Sequence, residues 1–150
     1  MFVCTGNTCR SAMAHHMLEK MIKEKDNVEV YSCGIYADSG EPATYSADVM
    51  KEYGVDMNNH RATNIKETKI EQMDLILCAT VSHKQIVLNM YPELTGKVYT
   101  LKEYVGIGKE GKNMDIKDPW GCNIETYKQC AEEIKQCLEM LIDNNSKKGI

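Results

Sequence analysis

Arginine is almost missing from this chain: of 18 basic residues only Arg10 and Arg61 are arginines, and the rest are lysines. Lysine serves wherever a plain positive charge is enough. An arginine kept at position 10, inside a short polar loop, therefore points to a need for a planar, two-pronged donor. Positive charge is also scarce overall. A formal net charge of −4 leaves no basic stripe to neutralise a phosphate backbone, which argues against nucleic acid as a partner. No stretch is long and apolar enough to span a membrane, and the opening Met1-Phe2-Val3-Cys4 lacks the charged and apolar regions of a secretion signal. The seven cysteines are odd in number and irregularly spaced, which excludes a simple secreted disulfide scaffold and suits a reducing cytoplasm. The 150 residues contain neither a repeat nor a linker, so residues 1–150 are expected to form one domain with its own core.

What is present is concentrated near the start, in Cys4-Thr5-Gly6-Asn7-Thr8-Cys9-Arg10-Ser11. A short apolar strand, Phe2-Val3, leads into this octet, and a helical pattern leaves it at Ala12. A strand, a tight loop and a helix start converge backbone N–H groups and a helix dipole on one point, which makes an anion site. The spacing from Cys4 to Arg10 lets the guanidinium fold back over an anion held by Thr5 to Ser11. Cys4 would lie beneath that anion, where the surrounding charge favours thiolate over thiol. A buried, inert Cys4 with a surface Arg10 is the plainer alternative. Gly6, Asn7 and Ser11 in a strand-to-helix setting weigh against it. Asn7 also tolerates the left-handed backbone that converging amides require.

The remaining pattern alternates strands and helices. Ser11 is placed to cap a helix whose stripe is Ala14, Met17, Leu18, Met21 and Ile22. His15 and His16 lie near the exposed side of that helix, and with no second cluster facing them a solvated role is expected, with no metal. Val28–Ser32 reads as a strand, 43–53 as a helix stopped by Gly54, and Lys66–Gln72 as a short helix. Leu75–Ala79 is a continuous apolar run of the buried parallel-strand type. A helix over Ser82–Met90 and a strand over Lys97–Leu101 follow. A glycine-rich loop over Gly106–Met114 leads to Asp118-Pro119-Trp120-Gly121. A final helix begins near Asn123 with Ile124, Tyr127, Ala131, Ile134, Leu138 and Leu141 on one face. That stripe suits packing on a sheet better than a coiled coil, and the polar tail from Asn144 is expected to fray. The fold class is α/β, a parallel sheet sandwiched by helices, with its ligand site at the strands' carboxyl ends.

The octet resembles the phosphate-binding loop of the low-molecular-weight protein tyrosine phosphatase family, Cys-x5-Arg-Ser near the N-terminus. Thr8, where tyrosine-specific members usually carry isoleucine, makes it most similar to the protein arginine phosphatases. The resemblance runs along the whole chain and implies a three-layer sandwich with a four-stranded parallel sheet of order 2-1-3-4. It implies a nucleophilic Cys4 that forms a phosphocysteine, Arg10 as transition-state clamp, and Asp118 as general acid and then general base. It also implies that Ser11 hydrogen-bonds the thiolate, that Ser32 and His60 hold Asn7, and that Cys4 and Cys9 form a protective disulfide. Phosphorylated proteins are the implied substrates, for a monomeric enzyme with no cofactor. Two positions depart from the family: alanine stands at Ala12 in place of the usual proline, and the first strand is short.

Pro119 restricts the backbone of Asp118 and helps aim its carboxylate, and Trp120, the single tryptophan, is a natural wall for either an aryl ring or a guanidinium. Thr8 keeps the β-branch but offers a smaller, more polar flank than isoleucine, suited to a guanidinium. Phosphoarginine is thus favoured, with phosphotyrosine as the alternative. Arsenate reductase shares the resemblance but needs relay cysteines near the end of the third strand. Cys78 lies there, yet Ser82, His83, Lys84 and Gln85 follow where a partner is needed. A non-catalytic phosphopeptide-binding module would have no use for Cys4 and Asp118 together.

Overall fold

The computed structural model describes residues 1–22, 27–108 and 113–147. Four three-residue strands, β1 (Phe2–Cys4), β2 (Ser32–Gly34), β3 (Ile76–Cys78) and β4 (Val98–Thr100), form one sheet of order β2-β1-β3-β4. All pairings are parallel, with Val3 opposite Cys33 on one side and Cys78 on the other. Alternate side chains divide the core between two faces. Phe2 and Leu77 point into a cluster shared with α1 (Arg10–Met21), α2 (Thr44–Glu52), α4 (Leu101–Val105) and α5 (Ile124–Lys147). Val3, Cys33, Ile76, Cys78 and Val98 point the other way, onto Val87 of α3 (Val81–Met90) and onto Ile65 and Ile70. Covering both faces is what lets the strands be continuously apolar. The three-layer sandwich and its strand order match expectation.

Several boundaries differ, each for a local reason. The second strand is Ser32–Gly34, not Val28–Ser32. Only Phe2–Cys4 is available to pair with it, and the ladder opens where the Phe2 N–H donates to the Tyr31 carbonyl at 2.9 Å. Residues 66–72 do not make one helix. They form two 3₁₀ turns, Ile65–Glu67 and Ile70–Gln72, separated by Thr68, whose hydroxyl donates to the Ile65 carbonyl at 2.7 Å. Helix α4 was not anticipated, although Thr100 and Glu103 carry its signature: each side chain accepts the other's backbone N–H, a reciprocal capping box. The loop expected over Gly106–Met114 lies partly outside the described residues. Helix α5 stays helical through Asn144 to Lys147 rather than fraying. Its buried face, including Ala131, Ile134 and Leu138, belongs to the core shared with α1, α2 and α4. That excludes the coiled-coil alternative, and burying each of the larger side chains stabilises the fold by roughly 1.5–3 kcal/mol.

The consequence for function is positional. β1 pairs with β2 on one side and β3 on the other, so the chain leaves the sheet centre in opposite directions, and the crevice at the carboxyl ends of β1 and β3 is the ligand position. A wide groove bounded by Met1, Phe2, Tyr31 and Leu75 opens at the amino ends instead and includes none of residues 4–11.

Candidate active site

Cys4 ends β1 and Arg10 begins α1, so the residues between them turn the chain over the sheet's edge. Asn7 holds this turn. It is 1% exposed, and it takes a left-handed φ of 57°. All its polar atoms are engaged. Its backbone N–H donates to Cys4 Sγ (3.3 Å), and its carbonyl faces His60 Nε2 (2.7 Å). Its Oδ1 accepts from the Thr63 N–H (3.0 Å), and its Nδ2 donates to Ser11 Oγ (2.8 Å) and Ser32 Oγ (3.0 Å). Ser32 and His60 thus both reach Asn7.

The floor under the turn is Gly34, read from sequence only as a strand end. A Cβ there would stand 2.6 Å from the Thr5 carbonyl and 2.8 Å from the Asn7 nitrogen, both backbone atoms. No rotamer change relieves such a contact, so the loop itself must move. Gly34→Ala is expected to cost roughly 1–3 kcal/mol of stability through overpacking and to weaken oxyanion binding. Urea unfolding together with phosphate titration checks this, and wild-type phosphate affinity would mean the loop accommodates the methyl group.

Cys4 Sγ lies 2.8 Å from Ser11 Oγ. Ser11 therefore does not cap α1 as expected: it sits in the first turn with its hydroxyl under the loop. Cys9 is the N-cap residue, and no side chain caps the helix, nor is any acidic residue present in its first turn. The N-terminal amides of α1 are left for an anion. Cys9 Sγ turns toward the Tyr127 hydroxyl at 3.5 Å, and Thr8, half-buried at the rim, accepts the Ala43 N–H on its carbonyl at 3.2 Å. Arg10 is buried. Its Nη1 donates to the Ile116 carbonyl at 3.0 Å, and its Nη2 stands 3.5 Å from Asp118 Oδ2. Its Nε is buried with no hydrogen-bond partner. A guanidinium donor is expensive to bury unpaired, and an oxyanion in the loop would satisfy it.

The segment carrying Asp118 is pinned to the end of β3. The Ile116 N–H donates to the Ala79 carbonyl (2.8 Å), and Asp115 Oδ1 accepts the Val81 N–H (2.8 Å), at the start of α3. These anchors, with the Arg10 contact, bring Asp118 to the mouth of the loop, where its side chain remains 52% exposed. Its Oδ1 accepts the Trp120 N–H at 3.1 Å, and the Trp120 ring extends into solvent, 71% exposed. Asp115 escaped sequence reading because an aspartate in a polar loop is unremarkable until its partner is known.

His83 also carries no signal in the sequence, because its partner Thr5 is distant in the chain. It is 7% exposed, with Nε2 2.8 Å from Thr5 Oγ1 and Nδ1 3.0 Å from Thr80 Oγ1. Burial first and the Arg10 charge second push it down to about 4 from 6.5. The unfolded chain therefore takes up a proton below about pH 6.5, whereas the folded one resists until about pH 4. Stability is full above that window and falls as pH drops through it, by up to about 1.4 kcal/mol per pH unit from this group. Urea unfolding from about pH 7 to about pH 5 should show this slope, and His83→Gln should reduce it by its own share, leaving that of the other buried histidines. An unchanged slope in the variant would assign the effect to other groups.

The reading of His15 and His16 needs correction. Their rings stack at 4.3 Å, and His60 meets His16 edge-on at 4.9 Å. They are not a solvated pair: His15 Nδ1 lies 2.7 Å from Ser32 Oγ, and His16 Nε2 lies 2.8 Å from His60 Nδ1. Burial, reinforced by the neighbouring imidazoles, lowers His15 to about 3, and burial also lowers His60. Helical spacing could not reveal this, because His60 arrives from a loop distant in sequence.

Known proteins share this fold. A model of the low molecular weight phosphotyrosine protein phosphatase family matches residues 1–149. A protein-arginine-phosphatase of Geobacillus stearothermophilus is 40% identical over 144 residues, spanning 95% of this chain and 93% of the relative. A low molecular weight protein tyrosine phosphatase from T. tengcongensis superposes with a TM-score of 0.86 at 38% identity, over 95% of this chain and 96% of that one. An arginine phosphatase in which the active-site cysteine is replaced by a phosphorylated serine superposes with a TM-score of 0.87 at 35% identity, over 97% and 94% of the two chains. Matched along nearly its whole length and folded in the same way, the chain belongs to the low molecular weight phosphotyrosine protein phosphatase family and is a cysteine-based protein phosphatase.

Proposed function

We propose that this phosphatase removes phosphate from phosphoarginine in proteins, with Cys4 as nucleophile. In the first step Cys4 sulfur attacks phosphorus, the P–N bond breaks, and Asp118 donates a proton to the departing guanidine nitrogen. Arg10 and the amides of Thr5 to Ser11 hold the phosphoryl oxygens throughout. In the second step Asp118 takes a proton from water, which attacks the phosphocysteine, releases inorganic phosphate and returns the thiolate. The observation that carries the catalytic part is the convergence on one loop of Cys4, the unpartnered Arg10 Nε and the Asp118 carboxylate 3.5 Å from Arg10 Nη2. Serine trapped as its phosphate in the related arginine phosphatase supports a covalent intermediate at the corresponding position.

The substrate assignment leans on Thr8, whose hydroxyl and methyl give the rim a small, polar wall, and on Trp120-Gly121, which resembles the aromatic-glycine pattern of arginine-specific relatives where tyrosine-specific ones usually carry a tyrosine pair. The 40% identical arginine phosphatase agrees. The tyrosine phosphatase likeness at 38% identity keeps phosphotyrosine as the second reading. Turnover on phosphoarginine and phosphotyrosine peptides side by side decides between them. Thr8→Ile should shift the ratio toward phosphotyrosine by about tenfold or more, equivalent to about 1.4 kcal/mol of differential transition-state stabilisation. Phosphate affinity should barely change, since the amides and Arg10 are untouched. If both activities fall in parallel with phosphate affinity, position 8 shapes the loop and does not select the substrate.

Two further parts of this reading concern setting. All seven cysteines are free thiols, which supports a reducing cytoplasm as the working compartment. The other part is a monomeric state, which the family resemblance implies. The Cys4–Cys9 disulfide remains the proposed redox protection, and it requires Cys9 Sγ to leave its 3.5 Å contact with the Tyr127 hydroxyl.

A further inference from the structure

We infer that His15, His16 and His60 form a binding site for a divalent transition-metal ion of the Zn²⁺ type, outside the catalytic loop but joined to it through Asn7. The sequence alone pointed to no metal. In the folded chain one ligand nitrogen from each ring lies within 4.8 Å of the other two. Tetrahedral zinc with bonds of about 2.0–2.1 Å places its donors about 3.3 Å apart, so modest side-chain rotation would complete the site. Imidazole is a preferred donor for zinc, copper and nickel.

The hydrogen count around the cluster gives the stronger argument. The Asn7 carbonyl only accepts, so His60 Nε2, 2.7 Å away, carries the hydrogen and His60 Nδ1 is a bare lone pair. His16 Nε2, 2.8 Å from that lone pair, must then donate to it. A neutral His16 is left with a second lone pair on Nδ1, which faces Glu19 Oε1 at 3.1 Å, another acceptor. One neutral ring cannot satisfy both neighbours, so either a second proton on His16, paired with Glu19, or a bound metal ion is needed. A metal ion between His16 Nε2 and His60 Nδ1 resolves the conflict. The His16 proton moves to Nδ1 and donates to Glu19, while both lone pairs bind the ion and no proton is lost. Each ring then has the outer partner that metal-bound histidines ordinarily have: a carboxylate for His16 and a backbone carbonyl for His60. His15 has Ser32 Oγ 2.7 Å from its Nδ1 and Glu19 Oε1 3.3 Å from its Nε2, so it must give up one of these contacts to bind the ion, and the long one to Glu19 is the weaker.

The test uses the full chain carrying Cys4→Ser and Cys9→Ser, so that the loop thiols cannot compete for metal. Titration with Co²⁺ should give one tight site with visible d–d absorption and no thiolate-to-cobalt charge-transfer band. Calorimetry with Zn²⁺ should give the same stoichiometry. His16→Gln should weaken Zn²⁺ roughly a hundredfold, and Glu19→Gln, which leaves all three imidazoles, about tenfold. His60→Gln should match His16→Gln. If that variant misfolds, His16→Gln, at a half-buried position of α1, still decides the matter. A charge-transfer band, an affinity unchanged by His16→Gln, or no Zn²⁺ uptake at about 100 μM, far weaker than designed or structural zinc sites, would each overturn the proposal.

Discussion

Replacing Cys4 by serine is expected to lower turnover by roughly 10⁴-fold or more while phosphate and vanadate still bind. The two halves of the expectation have separate causes. Turnover depends on a sulfur that is anionic and polarizable, and a serine hydroxyl at the same place is a far weaker nucleophile without an adjacent general base. Binding depends on the loop amides, on the uncapped start of α1 and on Arg10, none of which the substitution touches. Serine also accepts the Asn7 N–H and can pair with Ser11, the two contacts that Cys4 Sγ makes at 3.3 Å and 2.8 Å, so the loop should keep its shape. Stopped-time assays with an activated aryl phosphate, paired with vanadate titration followed through Trp120 fluorescence, measure both quantities. Appreciable turnover would remove Cys4 from the nucleophile's role. Lost vanadate binding would instead show that the sulfur helps build the loop.

How far the chain could be read beforehand follows from the range of each interaction. The octet was legible because its parts are contiguous: strand, loop and helix start are adjacent in sequence, and the chemistry of Cys4 and Arg10 needs only that spacing. The sheet order came from resemblance, since strands of three residues carry little pattern of their own. Gly34 illustrates what was hidden. Its requirement for hydrogen in place of a side chain arises from Thr5, Gly6 and Asn7 lying on top of it, and nothing in Ser32-Cys33-Gly34 signals that approach. His83, Asp115 and the His15–His16–His60 cluster were hidden for the same reason. Each acts across loops or layers, and local periodicity is blind to such partners. Helix α4 is the opposite case: its capping box lies in plain sequence, but Thr100 also belongs to the β-rich run Lys97–Leu101, whose pattern reads as a strand.

Asp118→Asn should lower the rate of phosphoester cleavage by roughly 10²–10⁴-fold, with the loss smallest for the most acidic leaving groups. Asparagine keeps the size and shape of the side chain, and its amide oxygen can still accept the Trp120 N–H that Asp118 Oδ1 holds at 3.1 Å. Its position should therefore change little, whereas it can neither donate nor take up a proton at the needed strength. A leaving group that departs readily as an anion does not need that proton, so a series of aryl phosphates of falling leaving-group basicity should recover rate progressively. The guanidine of phosphoarginine is strongly basic and belongs at the sensitive end of the series. The variant also deletes the ion pair with Arg10, which at 3.5 Å and with a half-exposed carboxylate is a weak contact. Arg10 remains tethered to the Ile116 carbonyl at 3.0 Å, so phosphate affinity should hold or rise slightly as the competing carboxylate charge is removed. A rate loss of equal size across the whole series, or a matching fall in phosphate affinity, would mean that Asp118 serves to position Arg10, and the proton would have to come from another group.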